Sequence, residues 1–465
     1  MSENRYDIAV LGGGPGGYPA AIKLSQMGKR VALVEAKAVG GTCLNRGCIP
    51  TKALIANAEV LHSIKHAKEF GISVSGVTVD FAKMAHEKDG IVNRLKNSLE
   101  GLIRSNNIDM IRGFGKFVSP FELKVIGEDN VLITADQIII ATGTEPKEIP
   151  AFPFDGKLIH SSTSILALEL LPKRMAIVGG GVIGCEFASL YAELGVEVTI
   201  IEALPRILPL ECETISSFMT KSFVNRGIQV ITGAMVEAIE KNNGVTICFK
   251  DGKKVTSDVA LVAIGRSFNT SNIGLEAAGV LADRGVIPTD DVMRTNVPGI
   301  YAIGDITGKA MYAHVATHQG LVAAAHIIGE KLHMNYDAIP GVIFTHPEIG
   351  TVGMSLETAC KRGFQAKRTT YPFQALGKAQ AAKQTEGFAQ IVVDETTGQI
   401  LGAQVIGHEA SNLIHPMAVA IANELTIECI TETIHAHPTL QEAWLESALI
   451  AEGHPLHFPP LKSRQ

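Results

Sequence analysis

Two runs constrain the fold more than any other feature: "YDIAVLGGGPGGYPAAIKLSQMGKRVALVEA" from Tyr6 and "KRMAIVGGGVIGCEFASLYAELGVEVTIIEA" from Lys173. In each, an apolar strand enters Gly-x-Gly-x-x-Gly, a helix follows, and a second strand ends at an acidic residue. The first copy uses Gly12, Gly14, Gly17 and Glu35, and the second uses Gly179, Gly181, Gly184 and Glu202. The interval from first glycine to acid is 23 residues in both. The first glycine makes a tight turn, the second admits a pyrophosphate, and the third lets helix and strand pack closely. The helix N-terminus then receives the phosphates. The repeat predicts an α/β chain with two Rossmann-like dinucleotide-binding domains.

Two such domains imply two dinucleotides, a hydride carrier facing a bound flavin. Glu35 is placed to accept ribose hydroxyls. Glu202 would repel a 2′-phosphate, which favours NAD over NADP, although Arg206 lies close enough to weaken that inference. Two further segments, "QIIIATGTEP" and "VALVAIGRSFN", each run an apolar strand into a glycine turn, at Gly143 and Gly265. In "TNVPGIYAIGDIT" a buried strand is expected to end at Gly304-Asp305. An acid at the carboxyl end of a sheet suits a hydrogen bond to a sugar-like chain; a turn or cap role for Asp305 is the alternative.

The 465 residues leave room for about three domains. A composition of 46% hydrophobic and 19% charged residues belongs to globular proteins rather than disordered ones. The net charge of −6 gives no basic footprint for nucleic acid. The N-terminus has neither signal-peptide nor transit-peptide character. The most apolar window, Met175 to Ile201, holds Glu186, Glu193 and Glu197, so no membrane span is expected. Of seven cysteines, five are scattered singly, which argues for a reducing, cytoplasmic compartment.

The other two cysteines lie in "GGTCLNRGCIPTK", at 43 and 48. On an ideal helix, residues five apart are roughly 8.6 Å apart, beyond the ~7 Å that a disulfide spans. The pair can close only if a helix starts between the cysteines or is distorted there. Gly47 and Pro50 supply the means. On spacing alone, two ordinary buried thiols remain the other reading. Near the C-terminus, "TETIHAHPTLQEAW" places Glu442 five residues after His437. An imidazole titrates near neutrality, and a carboxylate partner fixes its tautomer and raises its basicity.

Together these segments, with "ATG", "AIGR", "YAIGD", "MYAH" and "HAHPTLQE", resemble the flavin-dependent pyridine-nucleotide disulfide oxidoreductases over nearly the whole chain. The resemblance implies FAD on the first fingerprint and NAD on the second. It also implies a C-terminal α+β dimerisation domain and a homodimer, divided as 1–147 (FAD), 148–269 (NAD), 270–341 (central, completing the FAD site) and 342–465 (interface). Cys43 and Cys48 become the redox disulfide, with Cys48 the charge-transfer thiolate beside the flavin and Cys43 the thiol that exchanges with substrate. His437 becomes the general base, reaching the cysteines of the other subunit through a cis bond to Pro438, and Glu442 orients it. Lys52 and Glu186 pair beside the flavin, and Glu186 also counts among the NAD contacts with Val236 and Gly265. Gly115, Thr142, Gly143, Asp305, Met311, Ala313 and His314 complete the FAD set.

Among such enzymes the resemblance is strongest to those oxidising protein-bound dihydrolipoamide. The expected partner is therefore a lipoylated acyltransferase or lipoyl carrier protein. No metal, nucleic acid or membrane is expected. Relatives acting on glutathione read differently around the cysteines and hold NADP through arginines; reduction of another disulfide is the alternative activity. Relatives with an extra C-terminal redox pair are set aside because the chain ends "HFPPLKSRQ". A redox-silent docking subunit is opposed by the intact cysteines, histidine and glutamate. Two departures, Leu376-Gly377-Lys378 and Gln319 (where many relatives carry an acid), are expected to touch surface contacts rather than chemistry. His435 is expected to be structural.

Overall fold

The computed structural model describes residues 4–459, so the last six residues of the chain lie outside the described part. It divides into two compact units: Met1–Pro172 with Ala238–Thr246 and Ser257–Met334, and Lys173–Glu237 with Ile247–Thr256 and Asn335–Gln465.

The first unit is built on strands β1 (Arg5–Leu11), β2 (Val31–Glu35), β3 (Asp109–Arg112), β4 (Phe114–Ser119), β5 (Glu122–Ile126) and β6 (Val131–Ile140), in the order β3-β2-β1-β6-β5-β4. β1, β2, β3 and β6 pair in parallel, while β4, β5 and β6 form an antiparallel extension. A short strand, Ile300–Ala302, also pairs with β6 in parallel. Ile8 to Leu11 and Val31 to Val34 are buried without alternation, as expected of parallel strands covered on both faces. The helices of this unit include α1 (Gly17–Gln26), α2 (Gly41–Arg46), α3 (Cys48–His66) and α4 (Phe81–Ser105).

The first fingerprint lies where β1 gives way to α1. Gly12 has φ +110°, and a Cβ on Gly17 would stand 1.8 Å from the Gly12 carbonyl oxygen. Only glycine admits the helix so close to the strand.

The second unit repeats the device. Strands β7 (Arg174–Val178), β8 (Glu197–Ile201) and β9 (Gln229–Ile231) pair in parallel, with helices α5 (Val182–Glu193) and α6 (Glu213–Asn225). Gly179 has φ +112°, and a Cβ on Gly184 would stand 1.9 Å from its carbonyl oxygen. The unit also holds an antiparallel sheet in the order Gly341–Ile343, Glu348–Gly353, Ile400–Gly407, Phe388–Asp394, Ala366–Pro372. Helices Ala410–Ala422 and Glu442–Glu452 contribute Leu413, Met417, Trp444 and Ala448 to the core built on that sheet.

The fold class and the duplicated β-α-β unit are as the sequence predicts. Some boundaries differ. Glu202 stands one residue past β8, and the strand before Asp305 ends at Ala302, leaving Gly304–Thr307 as a 3₁₀ turn. Both departures expected at the surface reach inside: Leu376 belongs to the core of the antiparallel sheet, and Gln319 is fully buried.

Gly184→Ala should therefore destabilise the protein by more than the ~1–3 kcal/mol usual for an extra core methyl, because the obstacle is backbone. Gly181→Ala, whose Cβ would meet nothing within 4 Å, should stay within about 0.5 kcal/mol of the parent. Denaturant unfolding of both variants measures the contrast, and equal effects would contradict it.

Candidate active site

The helix carrying the cysteine pair is interrupted between them. α2 ends at Arg46, Gly47 has φ −144° and ψ −107°, and α3 starts at Cys48. The break removes the helical spacing that would hold the two apart. Pro50 falls in the first turn of α3, where a missing N–H breaks no helical bond. A Cβ on Gly47 would press to 3.0 Å from the Thr42 carbonyl oxygen. Asn45 holds the turn, donating to the carbonyls of Val39 and Gly41 at 2.9 Å each.

Both cysteines are free thiols here, hydrogen-bonded to one another. The bond to Cys48 is the chief cause that pushes the Cys43 thiol far up; burial adds to it, and the Lys52 charge opposes it. Cys48, at the positive end of the 19-residue α3, is the sulfur better placed to carry negative charge. Burial, and then the Cys43 charge, pushes the Tyr18 hydroxyl on α1 up.

The first fingerprint is closed by its own carboxylate. Glu35 Oε2 accepts the Gly13 N–H at 2.8 Å, and Oε1 accepts the Lys37 N–H at 2.7 Å. A Cβ on Gly14 would meet only the Gly41 Cα, at 3.9 Å, so the loop has a bare backbone face. The Thr142 hydroxyl is buried without a hydrogen-bond partner. Such an orphan, beside an open Gly143 at φ +68°, is what a bound group would satisfy.

Met311 precedes, and Ala313 and His314 begin, the helix Ala313–Ile327, whose Thr317 hydroxyl donates to the Pro15 carbonyl at 2.8 Å. That bond anchors this helix to the first fingerprint. Gly115 acts in packing: a Cβ there would lie 2.4 Å from Leu11 Cδ1.

Asp305 is tied in as well. The Thr144 hydroxyl donates to its Oδ2. Arg266 Nε donates to Thr144 Oγ1 at 2.6 Å and lies 3.8 Å from Asp305 Oδ2. Burial pulls the Arg266 guanidinium below its ordinary value, against the charges of Asp305 and Glu145. Glu145 in turn pairs with Arg46 at 2.8 Å and with Lys37 at 3.0 Å. This network joins the cysteine turn to the Asp305 turn, and sequence reasoning assigned no role to Arg46, Thr144, Glu145 or Arg266. Their signal was faint: polar residues at the exits of apolar strands, and an arginine between the cysteines. Gln319 Oε1 accepts the Gly304 N–H at 2.6 Å, one residue from Asp305.

The second fingerprint mirrors the first. Glu202 Oε2 accepts the Gly180 N–H at 2.6 Å and Oε1 the Leu204 N–H at 2.8 Å. Gly181 again faces open space. Arg206 donates to the carbonyls of Pro209 and Glu211, so its guanidinium is engaged within its own turn. Glu186 Oε1 accepts the Phe344 N–H at 2.9 Å. Val236 opens the strand Val236–Asn242. Gly265, at φ +119°, belongs to the first unit. In both fingerprints the bare glycine and the amide-bonded carboxylate fit a dinucleotide.

Helix Glu442–Glu452 is seated by buried polar contacts. Trp444 Nε1 donates to the Leu413 carbonyl at 3.0 Å, Thr369 Oγ1 to the Ser447 carbonyl at 2.7 Å, and Ser447 Oγ to the Ala389 carbonyl at 3.2 Å. This docking aims Glu442, whose Oε1 lies 2.8 Å from His437 Nδ1 and whose Oε2 accepts the Thr439 N–H at 2.8 Å. The His437–Pro438 peptide is cis. Burial pushes the Glu442 carboxyl up, but the bonds from His437 and Thr439 and the nearby imidazoles outweigh it, leaving the group below its ordinary value. With Nδ1 engaged, Nε2 is the nitrogen left to take a proton. The His437 side chain is 76% exposed. His435 Nδ1 meets the Thr433 carbonyl at 2.8 Å, a local contact. The cysteines and His437 belong to different units.

Comparison with known sequences agrees with this geometry. Residues 6–320 match the pyridine nucleotide-disulphide oxidoreductase family, and residues 339–448 match its dimerisation domain. The chain belongs to the pyridine nucleotide-disulphide oxidoreductases. It is 56% identical over 457 residues to a dihydrolipoyl dehydrogenase of Chlamydia pneumoniae, covering 98% of this chain and 99% of that one. It is 40% identical to one from Bacillus subtilis, over 97% of each. Among solved structures, LpdA from Mycobacterium tuberculosis superposes with a TM-score of 0.91 at 28% identity, covering 96% of this chain and 99% of that one. The HOCl-induced flavoprotein disulfide reductase RclA from Escherichia coli, as its Cu(II) complex, gives 0.87 at 29% identity with the same coverage. No helix among the described residues is long and apolar enough to cross a membrane.

Gln319→Leu should cost about 1–3 kcal/mol of stability, since it strands the buried Gly304 N–H. Unfolding measurements test this, and unchanged stability would contradict the assigned contact.

Proposed function

We propose that the protein is a dihydrolipoyl dehydrogenase, converting dihydrolipoyl groups and NAD⁺ to lipoyl groups, NADH and a proton. The hydrogen-bonded Cys43–Cys48 dithiol across the break between α2 and α3 is the observation that carries the reading, supported by the near full-length likeness to enzymes of that name.

Gly12, Gly14, Gly17, Glu35, Thr142, Gly143 and Asp305 would hold FAD, with Lys52, Gly115, Met311, Ala313 and His314 around it. Gly179, Gly181, Gly184, Glu186, Glu202, Val236 and Gly265 would hold NAD. Bound FAD supplies the two-electron relay between the dithiol and NAD⁺.

The steps at the protein are thiol chemistry. A substrate thiol gives its proton to His437 Nε2, and the resulting thiolate attacks the Cys43 sulfur of the Cys43–Cys48 disulfide. The Cys–Cys bond breaks, and Cys48 leaves as thiolate. The second substrate sulfur then attacks the first, closing the lipoyl disulfide and returning Cys43 as thiol. Glu442 fixes the His437 tautomer and stabilises the imidazolium that forms. The preformed His437–Glu442 pair is open to solvent in the single chain, which supports a site completed by the partner of a homodimer. The division into FAD (1–147), NAD (148–269), central (270–341) and interface (342–465) segments belongs to the same proposal. So do a cytoplasmic location and a lipoylated acyltransferase or carrier protein as partner.

Reduction by dithiol should produce the long-wavelength absorption of a thiolate against the flavin. Cys43→Ser should retain it and Cys48→Ser should lose it, as absorption spectra will show; identical behaviour would reverse the roles.

His437→Gln should fold, bind FAD and lose 10²–10⁴-fold or more in dihydrolipoamide turnover. NADH oxidation by an artificial acceptor, which needs no thiol deprotonation, should persist. Mixing His437→Gln and Cys43→Ser dimers under subunit exchange should restore activity, because one site in each mixed dimer then has both intact parts. Proven exchange without recovery would place the base in the same chain as its cysteines, or remove it from the reaction.

A further inference from the structure

Helix Glu442–Glu452 carries a second histidine–carboxylate pair, one turn beyond the first. Glu446 is almost completely buried, yet its carboxylate reaches out of the core to His457 in the C-terminal tail. Oε1 lies 2.7 Å from His457 Nδ1, and Oε2 accepts the His457 N–H at 3.2 Å. The side chains are 4% and 74% exposed, respectively. A carboxylate that grips both the backbone and the ring of one residue fixes the chain's path there.

Other contacts reinforce the grip. Gly453, in the left-handed region at φ +86°, ends the helix and lets the His454 N–H return to the Leu449 carbonyl at 2.9 Å. Phe458 packs at the edge of the core, its ring 6.1 Å from that of Tyr371. The Tyr371 hydroxyl reaches the His457 carbonyl at 3.5 Å.

We propose that His457 is a positioning residue: clamped by Glu446, it fixes the tail against the helix that carries Glu442 and holds its charge one turn away from the His437–Glu442 pair. The charged and titratable groups facing it are Glu446 and Glu442 on the helix, with Tyr371 on the neighbouring strand and His437 beyond Glu442. The bond to Glu446, then its charge, raises the His457 imidazole above its ordinary 6.5. Burial, then the fields of Glu446 and Glu442, pushes the Tyr371 hydroxyl to about 12, so that it stays neutral. Because the imidazole is raised, the clamp has its full strength below pH 6.5. It weakens as pH rises through the raised value.

The proposal makes the signs of three substitutions differ. In His457→Gln the Glu446 charge is uncompensated, so the acid-side inflection of kcat/KM for dihydrolipoamide should move up. A unit charge about 10 Å away through water shifts such an inflection by on the order of 0.3 pH unit. His457→Lys, which keeps the charge, should return it to the parent value or below. Glu446→Gln should move it down. Detachment of the tail alone would move the Gln variants in the same direction. Should Glu446→Gln fail to fold, the Gln and Lys variants at the exposed position 457 decide.

Amide exchange of residues 454–459 in the flavin-loaded dimer is the second readout. Protection in His457→Gln should be about two- to fivefold lower than in the parent below pH 6.5, as for an ion pair open to water on its imidazole side, and the gap should close at higher pH. The kinetic arm rests on the activity proposed above. Parent protein inert toward dihydrolipoamide would count against that activity, leaving the exchange arm to judge the clamp. Equal protection in parent and variant, or inflections that stay together, would overturn it.

Discussion

The structure turns on a short bond made twice. A carboxylate at the end of the second strand accepts the N–H of the middle residue in the glycine turn, Glu35 to Gly13 and Glu202 to Gly180. Each bond ties the far strand to the loop that leaves the near one, and each loop can then bring its helix onto the strand. The glycine contacts at 1.8 and 1.9 Å, where no side chain fits, follow from that closure. The carboxylates are therefore structural before any nucleotide arrives.

From the first unit the same logic extends outward. Helix Ala313–Ile327 is held to the fingerprint through Thr317 and Pro15, and its buried Gln319 holds the turn before Asp305. Arg266 and Thr144 reach Asp305 from the other side. The Arg46–Glu145 pair carries the connection to the cysteine turn. The first fingerprint and the dithiol thereby share one polar framework, which makes their relative placement a property of the fold.

Much of this was legible in the sequence, and for a physical reason. The fingerprints, the helix break at Gly47 and the His437–Glu442 pair each depend on residues within about one β-α-β unit, so spacing exposes them. What spacing could not expose is contact between distant segments. Thr144 meets Asp305 across 161 residues and Arg266 across 122, and no local pattern marks either. Gln319 stands outside the redox groups in the sequence, which points to a surface contact, yet it is fully buried. Its burial follows from the close seat of that helix, where a Cβ on Gly320 would lie 2.5 Å from the Gly16 carbonyl oxygen. The apolar pattern before Asp305 runs two residues beyond the strand's end at Ala302 because its buried end continues into a 3₁₀ turn.

The seating of helix Glu442–Glu452 changes how loss-of-function substitutions should be read. The imidazole is aimed by Glu442, and Glu442 is aimed by Trp444, Ser447 and Thr369, which lie in the interior and touch no reacting atom. A small rotation of that helix would leave the fold intact and misdirect the His437 imidazole. Genetic screens for slow enzymes should thus recover positions from the core between that helix and the antiparallel sheet. A map of sensitive sites drawn by distance from the sulfurs would miss them.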